Sequence, residues 1–146
     1  MMLLKIVAVG RVKERSFAER CAEYQKRLGA YAKVQIVEVA DGDVAGEGAA
    51  ILRELDRERQ VEVVALSEEG KEFSTAEFAA HLAAADGKLV FVIGGPFGLA
   101  PEVKARARFV WSLSRLTFTH EMARMLLLEQ LYRACNLNAG GRYHHR

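Results

Sequence analysis

The sequence predicts an α/β fold, a mostly parallel sheet flanked by helices on both faces. Runs rich in β-branched and aliphatic residues recur along the 146 residues, and helical patterns separate them at short spacing. That alternation calls for crossover connections and hence parallel strands covered by helices. About half of the residues are hydrophobic, enough for one substantial core, and no repeat, linker or hinge divides the chain. Residues 1–146 therefore read as a single domain.

The first run, Leu3 to Val9, stops at Gly10 and reads as a buried strand. From Ser16 the pattern becomes helical: Phe17, Cys21, Tyr24 and Leu28 share one face, and Gly29 ends it. Val34 to Val39 is the second strand. Asp41-Gly42-Asp43 is a turn, residues 41–48 form a polar connection that could be mobile, and Ile51, Leu52 and Leu55 mark an amphipathic helix from about Ala45 to Gln60. Val61 to Leu66 is the third strand, with a loop from Ser67 to Lys71. Ser74 and Glu77 form a capping box for a helix through Ala84. Lys88 to Ile93 is the fourth strand, Pro101 opens a short basic helix to Arg108, and Val110 to Leu113 is the fifth strand. A long helix follows from Thr119 or His120 to about Asn136, with Met122, Met125, Leu126, Leu128, Tyr132 and Cys135 as its apolar positions.

Charge is uneven. Residues 1–99 carry 13 Lys/Arg against 16 Asp/Glu, and residues 100–146 carry 8 against 3, so positive charge gathers at the carboxyl end. Cys21 and Cys135 fall inside helical patterns without metal or disulfide spacing, which suits reduced core thiols in a cytoplasmic protein. The apolar start reads as a strand rather than a secretory segment, and no stretch has the apolar length to cross a bilayer.

Chemistry concentrates in the last third. Gly94-Gly95-Pro96-Phe97-Gly98 lets backbone approach a ligand closely, yet it is neither a dinucleotide fingerprint nor a phosphate loop; as a bare glycine turn it serves sheet-to-helix geometry equally well. Ser112 to Thr117 could recognise a purine edge or simply lead into the next helix. His120 sits where a helix dipole disfavours an imidazolium, with Arg124 one turn later on the same side; the pair suits a ligand or an exposed helix edge. His144 and His145 lack companions at metal-ligand spacing, so no metal is expected. Tyr143 among Arg142, His144, His145 and Arg146 has the composition of an RNA contact, and also of a disordered tail.

Taken in order, these segments resemble the ribosomal RNA large subunit methyltransferase H family of SPOUT-class enzymes across essentially the full length. The resemblance rests on Lys5-Ile6-Val7-Ala8-Val9-Gly10, Leu66 to Lys71, Phe91 to Leu99, Ser112 to Phe118, Glu129 to Ala134 and the closing Tyr143-His144. It implies a cytoplasmic homodimer that transfers a methyl group from S-adenosyl-L-methionine to N3 of a pseudouridine in helix 69 of large-subunit ribosomal RNA, acting on the assembled 70S ribosome. It also implies a C-terminal trefoil knot. The family's cofactor cleft maps onto Leu66, Ile93, Gly94, Gly95, Gly98, Ser112, Leu113, Ser114, Arg115, Leu116, Thr117 and Phe118. Its substrate side maps onto His120, Arg124, Tyr143 and His144, with Arg133 and Arg146 as phosphate contacts, to which Arg142, a departure from the family pattern, adds one more. In this reading neutral His144 or Tyr143 removes the N3 proton or holds the base as its anion, and Arg124 favours the negative charge. The chain departs from the family pattern at Ser67, Thr119 and Arg142, where Asp, Pro and Pro are usual. A non-catalytic ribosome-binding factor and a SPOUT methyltransferase acting on tRNA are the alternatives.

Overall fold

A computed structural model describes residues 2–145. Five strands, β1 (Met2–Val9), β2 (Ala32–Val39), β3 (Val61–Glu72), β4 (Lys88–Ile93) and β5 (Phe109–Ser112), form one parallel sheet in the order β2-β1-β4-β3-β5. The helices are α1 (Arg15–Leu28), α2 (Val44–Asp56), α3 (Thr75–Ala84), α4 (Pro101–Arg106) and α5 (His120–Asn138).

Strand alternation divides the core into two layers. Leu4, Ile6 and Ala8 of β1 and Leu89, Phe91 and Ile93 of β4 face α1, α3 and α5, which contribute Leu28, Phe78, Leu127 and Leu131 among others. Val7, Val9, Val90 and Val92 face the other way, onto Ile51 and Leu55 of α2 and Val103 of α4. Cys21 and Cys135 are buried free thiols, and burial pushes the Cys135 thiol up to about 11. No helix among the described residues is long and apolar enough to cross a membrane.

Local chemistry accounts for most boundaries. The capping box at α3 is formed, with Glu77 N–H donating to Ser74 Oγ at 3.1 Å and Ser74 N–H to Glu77 Oε1 at 3.2 Å. Several boundaries shift by a residue or two from the sequence expectation, β2 opening at Ala32 and α5 running to Asn138 among them, and three differences have a visible local cause. The connection around residues 41–48 is mostly helix, because Asp43 caps α2 by accepting from Gly46 N–H at 2.6 Å. That helix ends at Asp56 instead of Gln60, and Gln60 takes a left-handed φ of 54° before β3. Third, β3 continues past Leu66 to Glu72 through a bulge. Leu66 and Lys71 both register with Trp111, so Ser67 to Gly70 are looped out at the carboxyl edge. Gly70 makes this possible: a Cβ there would lie 2.6 Å from the Val110 backbone.

Candidate active site at the carboxyl edge of the sheet

All five strands are parallel, so every strand-to-helix loop emerges at one edge, the place where open α/β sheets present ligand sites. Three of these loops converge. The bulge of β3, the Ile93 to Leu99 bend after β4 and the Leu113 to Phe118 loop after β5 enclose a cleft of about 300 Å³ with His120 and Ala123 of α5.

Each loop is fixed by its own short-range bonds. Gly98 N–H donates to Gly95 O at 3.0 Å across Pro96-Phe97, and Gly98 has a φ of +83°, the left-handed region that glycine takes without strain. Gly94 packs so closely under this turn that a Cβ would lie 2.9 Å from the Gly98 backbone. In the third loop Ser112 Oγ donates to Ser114 O at 2.7 Å, and Ser114 Oγ accepts from Leu116 N–H at 3.1 Å. Lys104 bridges to Glu69 at the rim. Phe97 is 85% exposed and Leu116 is 72% exposed, and both line the cleft. Large apolar side chains left in water at a concave site are what a ligand would cover.

Most of the residues expected at a cofactor cleft meet here: Leu66, Ile93, Gly94, Gly95, Gly98, Leu113, Ser114, Leu116, Thr117 and Phe118. Ser112 is buried and ties the loop, and Arg115 is exposed outside the lining. The sequence reading missed Glu47. Its side chain is buried, its carboxylate accepts from Gly42 N–H at 2.8 Å, and a Cβ on Gly95 would lie 3.1 Å from Oε1. It therefore braces the glycine bend from α2. The one visible signal was a lone acid within Ala45-Gly46-Glu47-Gly48-Ala49-Ala50.

The substrate-side residues separate. His120 lines the cleft, whereas Arg124 does not join it on an exposed helix edge. It is buried, with Nη1 2.6 Å from Glu38 Oε2 and Nη2 donating to Gly10 O at 2.8 Å, so its guanidinium ties α5 to the ends of β1 and β2. This placement has a physical reason: a buried guanidinium needs acceptors, and β1 and β2 supply them.

Tyr143 and His144 lie against the far half of α5. The Tyr143 ring meets Tyr132 edge to face at 4.7 Å and lies under the Arg133 guanidinium at 4.7 Å; its N–H donates to Asn136 Oδ1 at 3.0 Å and its hydroxyl to Glu129 Oε1 at 3.3 Å. Burial first, then contacts with Tyr24 and Glu129, push the phenol up to about 12, so at neutral pH it is a donor rather than a base. Arg133 Nη1 lies 3.2 Å from His144 Nδ1. Guanidinium offers only donors, so Nδ1 accepts and the proton of a neutral ring sits on Nε2. His120 and Arg133 are separated along α5 by roughly 20 Å at helical rise. Within one chain the tail and the cleft are therefore apart. Arg142 is exposed, and Arg146 lies outside the described residues.

Comparisons with known proteins agree with this architecture. A family profile described as "Predicted SPOUT methyltransferase" matches residues 2–144. The Ribosomal RNA large subunit methyltransferase H of Gloeobacter violaceus is 46% identical over 150 residues, covering 99% of each chain, and that of Symbiobacterium thermophilum is 44% identical over 160 residues, covering 98% of this chain and 99% of the relative. Among solved structures, a probable methylase family protein from Haemophilus influenzae superposes with a TM-score of 0.63 at 16% identity, over 98% of this chain and 70% of that one. The SpoU methyltransferase AviRb from Streptomyces viridochromogenes, solved in complex with AdoMet, gives 0.52 at 11% identity, over 96% and 59%. The protein studied here belongs to the SPOUT methyltransferase family and, within it, to the ribosomal RNA large subunit methyltransferase H group.

Proposed function

We propose that this chain uses S-adenosyl-L-methionine to methylate N3 of a pseudouridine in helix 69 of large-subunit ribosomal RNA. In this reading it works in the cytoplasm as a homodimer on the assembled 70S ribosome, with residues 1–146 as one knotted SPOUT domain. The observation that carries the proposal is the cleft: three carboxyl-edge loops with exposed Phe97 and Leu116, in a chain 46% identical over its length to an rRNA methyltransferase. The lining fits the donor's chemistry. Leu66, Ile93 and Leu99 offer apolar walls, and the Gly94-Gly95 and Leu113 to Phe118 backbones offer edges for a heterocycle. Glu68 and Glu69 are carboxylates suited to a cationic ligand, and the one Lys in the lining, Lys104, is already paired with Glu69, which disfavours a phosphate-rich ligand.

When bound, the donor supplies an electrophilic methyl on a sulfonium. The protein contributes position and electrostatics: the glycine bend fixes the cleft floor, while the exposed Phe97 and Leu116 offer apolar surface for the donor to cover. N3 gives up its proton to water before it accepts the methyl group, so the attacking base is an anion. In this arrangement His144, whose Nδ1 faces Arg133, donates from Nε2–H to the anionic base, while Tyr143, whose hydroxyl donates to Glu129, holds the tail in place beside Arg133. Their distance from the cleft within one chain favours a shared site in which one subunit's tail serves its partner's cleft.

The experiment is mass mapping of RNA after incubation of the protein and methyl-labelled donor with 70S ribosomes, free 50S subunits and tRNA. One methyl at the helix 69 pseudouridine of 70S ribosomes is expected. Label on tRNA alone, or none with donor bound, would overturn the substrate assignment.

A further inference from the structure

A second depression of about 420 Å³ lies on the same edge of the sheet, over the ends of β1 and β2. Its walls include Gly10, Arg11, Lys13, Glu38 and Asp41, and His120 is common to it and the main cleft. The two concavities are therefore neighbours across a single side chain.

The second one is constructed rather than accidental. Glu121, beside His120 on α5, accepts from Lys13 N–H at 2.7 Å and Glu14 N–H at 3.3 Å, which fixes the segment carrying Arg11 and Lys13 as a rim. Those backbone bonds hold the Glu121 carboxyl below its ordinary range, so it stays charged. Arg124 anchors the floor through Glu38 and Gly10 O. Gly10 has a φ of +78°, and a Cβ there would lie 3.3 Å from the His120 ring. The missing side chain leaves room for His120, whose Nδ1 is buried and has no hydrogen-bond partner among the described residues. Buried polar nitrogens without partners are uncommon, and one shared by two concavities points to a ligand. Arg11 and Lys13 are exposed and have no carboxylate within ion-pair distance among the described residues, unlike Lys104 at the main cleft.

We propose that this depression is the subsite for the methyl-accepting RNA nucleotide, with Arg11 and Lys13 on its phosphates and its base beside His120. This rests on the RNA-methyltransferase reading above. An acceptor must lie next to the donor's methyl, which adjacency across one side chain provides. Two unpaired cations on a fixed rim suit phosphate, while the Glu38 carboxylate inside can accept from base N–H groups or ribose hydroxyls. His120 is assigned as a positioning residue between donor and acceptor.

The test pairs Arg11→Ala/Lys13→Ala with Asp41→Lys, all at exposed side chains. Three quantities are measured: S-adenosylmethionine affinity by calorimetry, affinity for a labelled helix 69 hairpin across a salt series, and kcat and KM on 70S ribosomes. The double variant should bind S-adenosylmethionine as the unsubstituted protein does and bind RNA about tenfold more weakly or worse. The slope of log affinity against log salt should be shallower by about two, with the loss on ribosomes carried by KM. Asp41→Lys should tighten RNA binding. Unchanged RNA affinity and salt slope in the double variant would overturn the subsite and leave the RNA reading standing. Cofactor binding by the unsubstituted protein with no RNA binding would overturn the RNA reading, and the subsite with it.

Discussion

The two ends of the parallel sheet are built from similar strands and treat charge in opposite ways. At the amino edge Lys5, almost fully buried in β1, lies 2.8 Å from Glu54 and 2.7 Å from Glu58, and Lys88 reaches the same Glu58 at 2.6 Å. Glu62 is shared by His81 at 2.9 Å and Arg108 at 3.0 Å. A depression of about 690 Å³ opens there, larger than the cleft at the other end, yet of its charged side chains only Asp86 lacks an ionic partner among the described residues. At the carboxyl edge a smaller concavity has exposed Phe97 and Leu116, a glycine floor and the unpartnered His120 Nδ1. Size does not distinguish the candidate site from the other end of the sheet. Incomplete satisfaction of apolar surface and polar atoms does, because those are the groups a ligand completes.

The largest effect on folding is expected at the amino edge. Replacing Lys5 by Met leaves Glu58 with Lys88 alone and Glu54 with only Arg57 at 3.9 Å, and should cost about 3–5 kcal/mol, read from urea unfolding, with cofactor affinity of the folded protein unchanged. A joint loss of both would break the separation of the two ends. Gly94→Ala should do the reverse: its Cβ meets the Gly98 backbone at 2.9 Å, costing about 1–3 kcal/mol by overpacking. Displacing the bend should slow methylation on the order of a hundredfold.

Arg124→Met tests whether that guanidinium is structural. Loss of its bonds to Glu38 and Gly10 O should reduce unfolding free energy by about 1–3 kcal/mol, with S-adenosylmethionine affinity unaltered in calorimetry.

Acid should weaken the amino edge. Hydrogen bonds from Lys5, and for Glu58 from Lys88 as well, hold Glu54 and Glu58 below the ordinary 4.5. Carboxyls with depressed folded values stabilise above their unfolded pKa, so this contribution falls away as pH drops below about 4.5. A thermal-melt series against pH should show a shallower acid slope in Glu58→Gln. The smallest stability effect, within about 0.5 kcal/mol, is expected for Phe97→Ala, because its ring is exposed. That variant should still weaken cofactor binding severalfold by calorimetry.

Local signals made much of this legible in the sequence. The strands at Leu3 to Val9 and Lys88 to Ile93 and the capping box at Ser74 depend on neighbours in the chain, and they stand where expected. The bulge after Leu66 did not show, because it is set by pairing with Trp111, about 40 residues away. Arg124 illustrates the same limit: its spacing to His120 is a helix property, but its partner Glu38 lies 86 residues off. Composition alone left the glycine bend and the Ser112 to Thr117 turn ambiguous. Only the ordered resemblance to a family joined them, and the structure brings their backbones around one cleft. The tail was hardest. Tyr143 reads as a loose RNA contact, but aromatic packing on Tyr132 and the cation of Arg133 order it against α5.

The central claim, that the carboxyl-edge cleft is the functional concavity, is tested most directly by titration calorimetry with S-adenosylmethionine on three proteins: the unsubstituted chain, Gly94→Ala at the cleft floor and His81→Gln at the amino edge. Saturable binding is predicted for the first, about tenfold or greater weakening for the second, and no change for the third. No binding by the unsubstituted chain, or equal weakening in both variants, would contradict it.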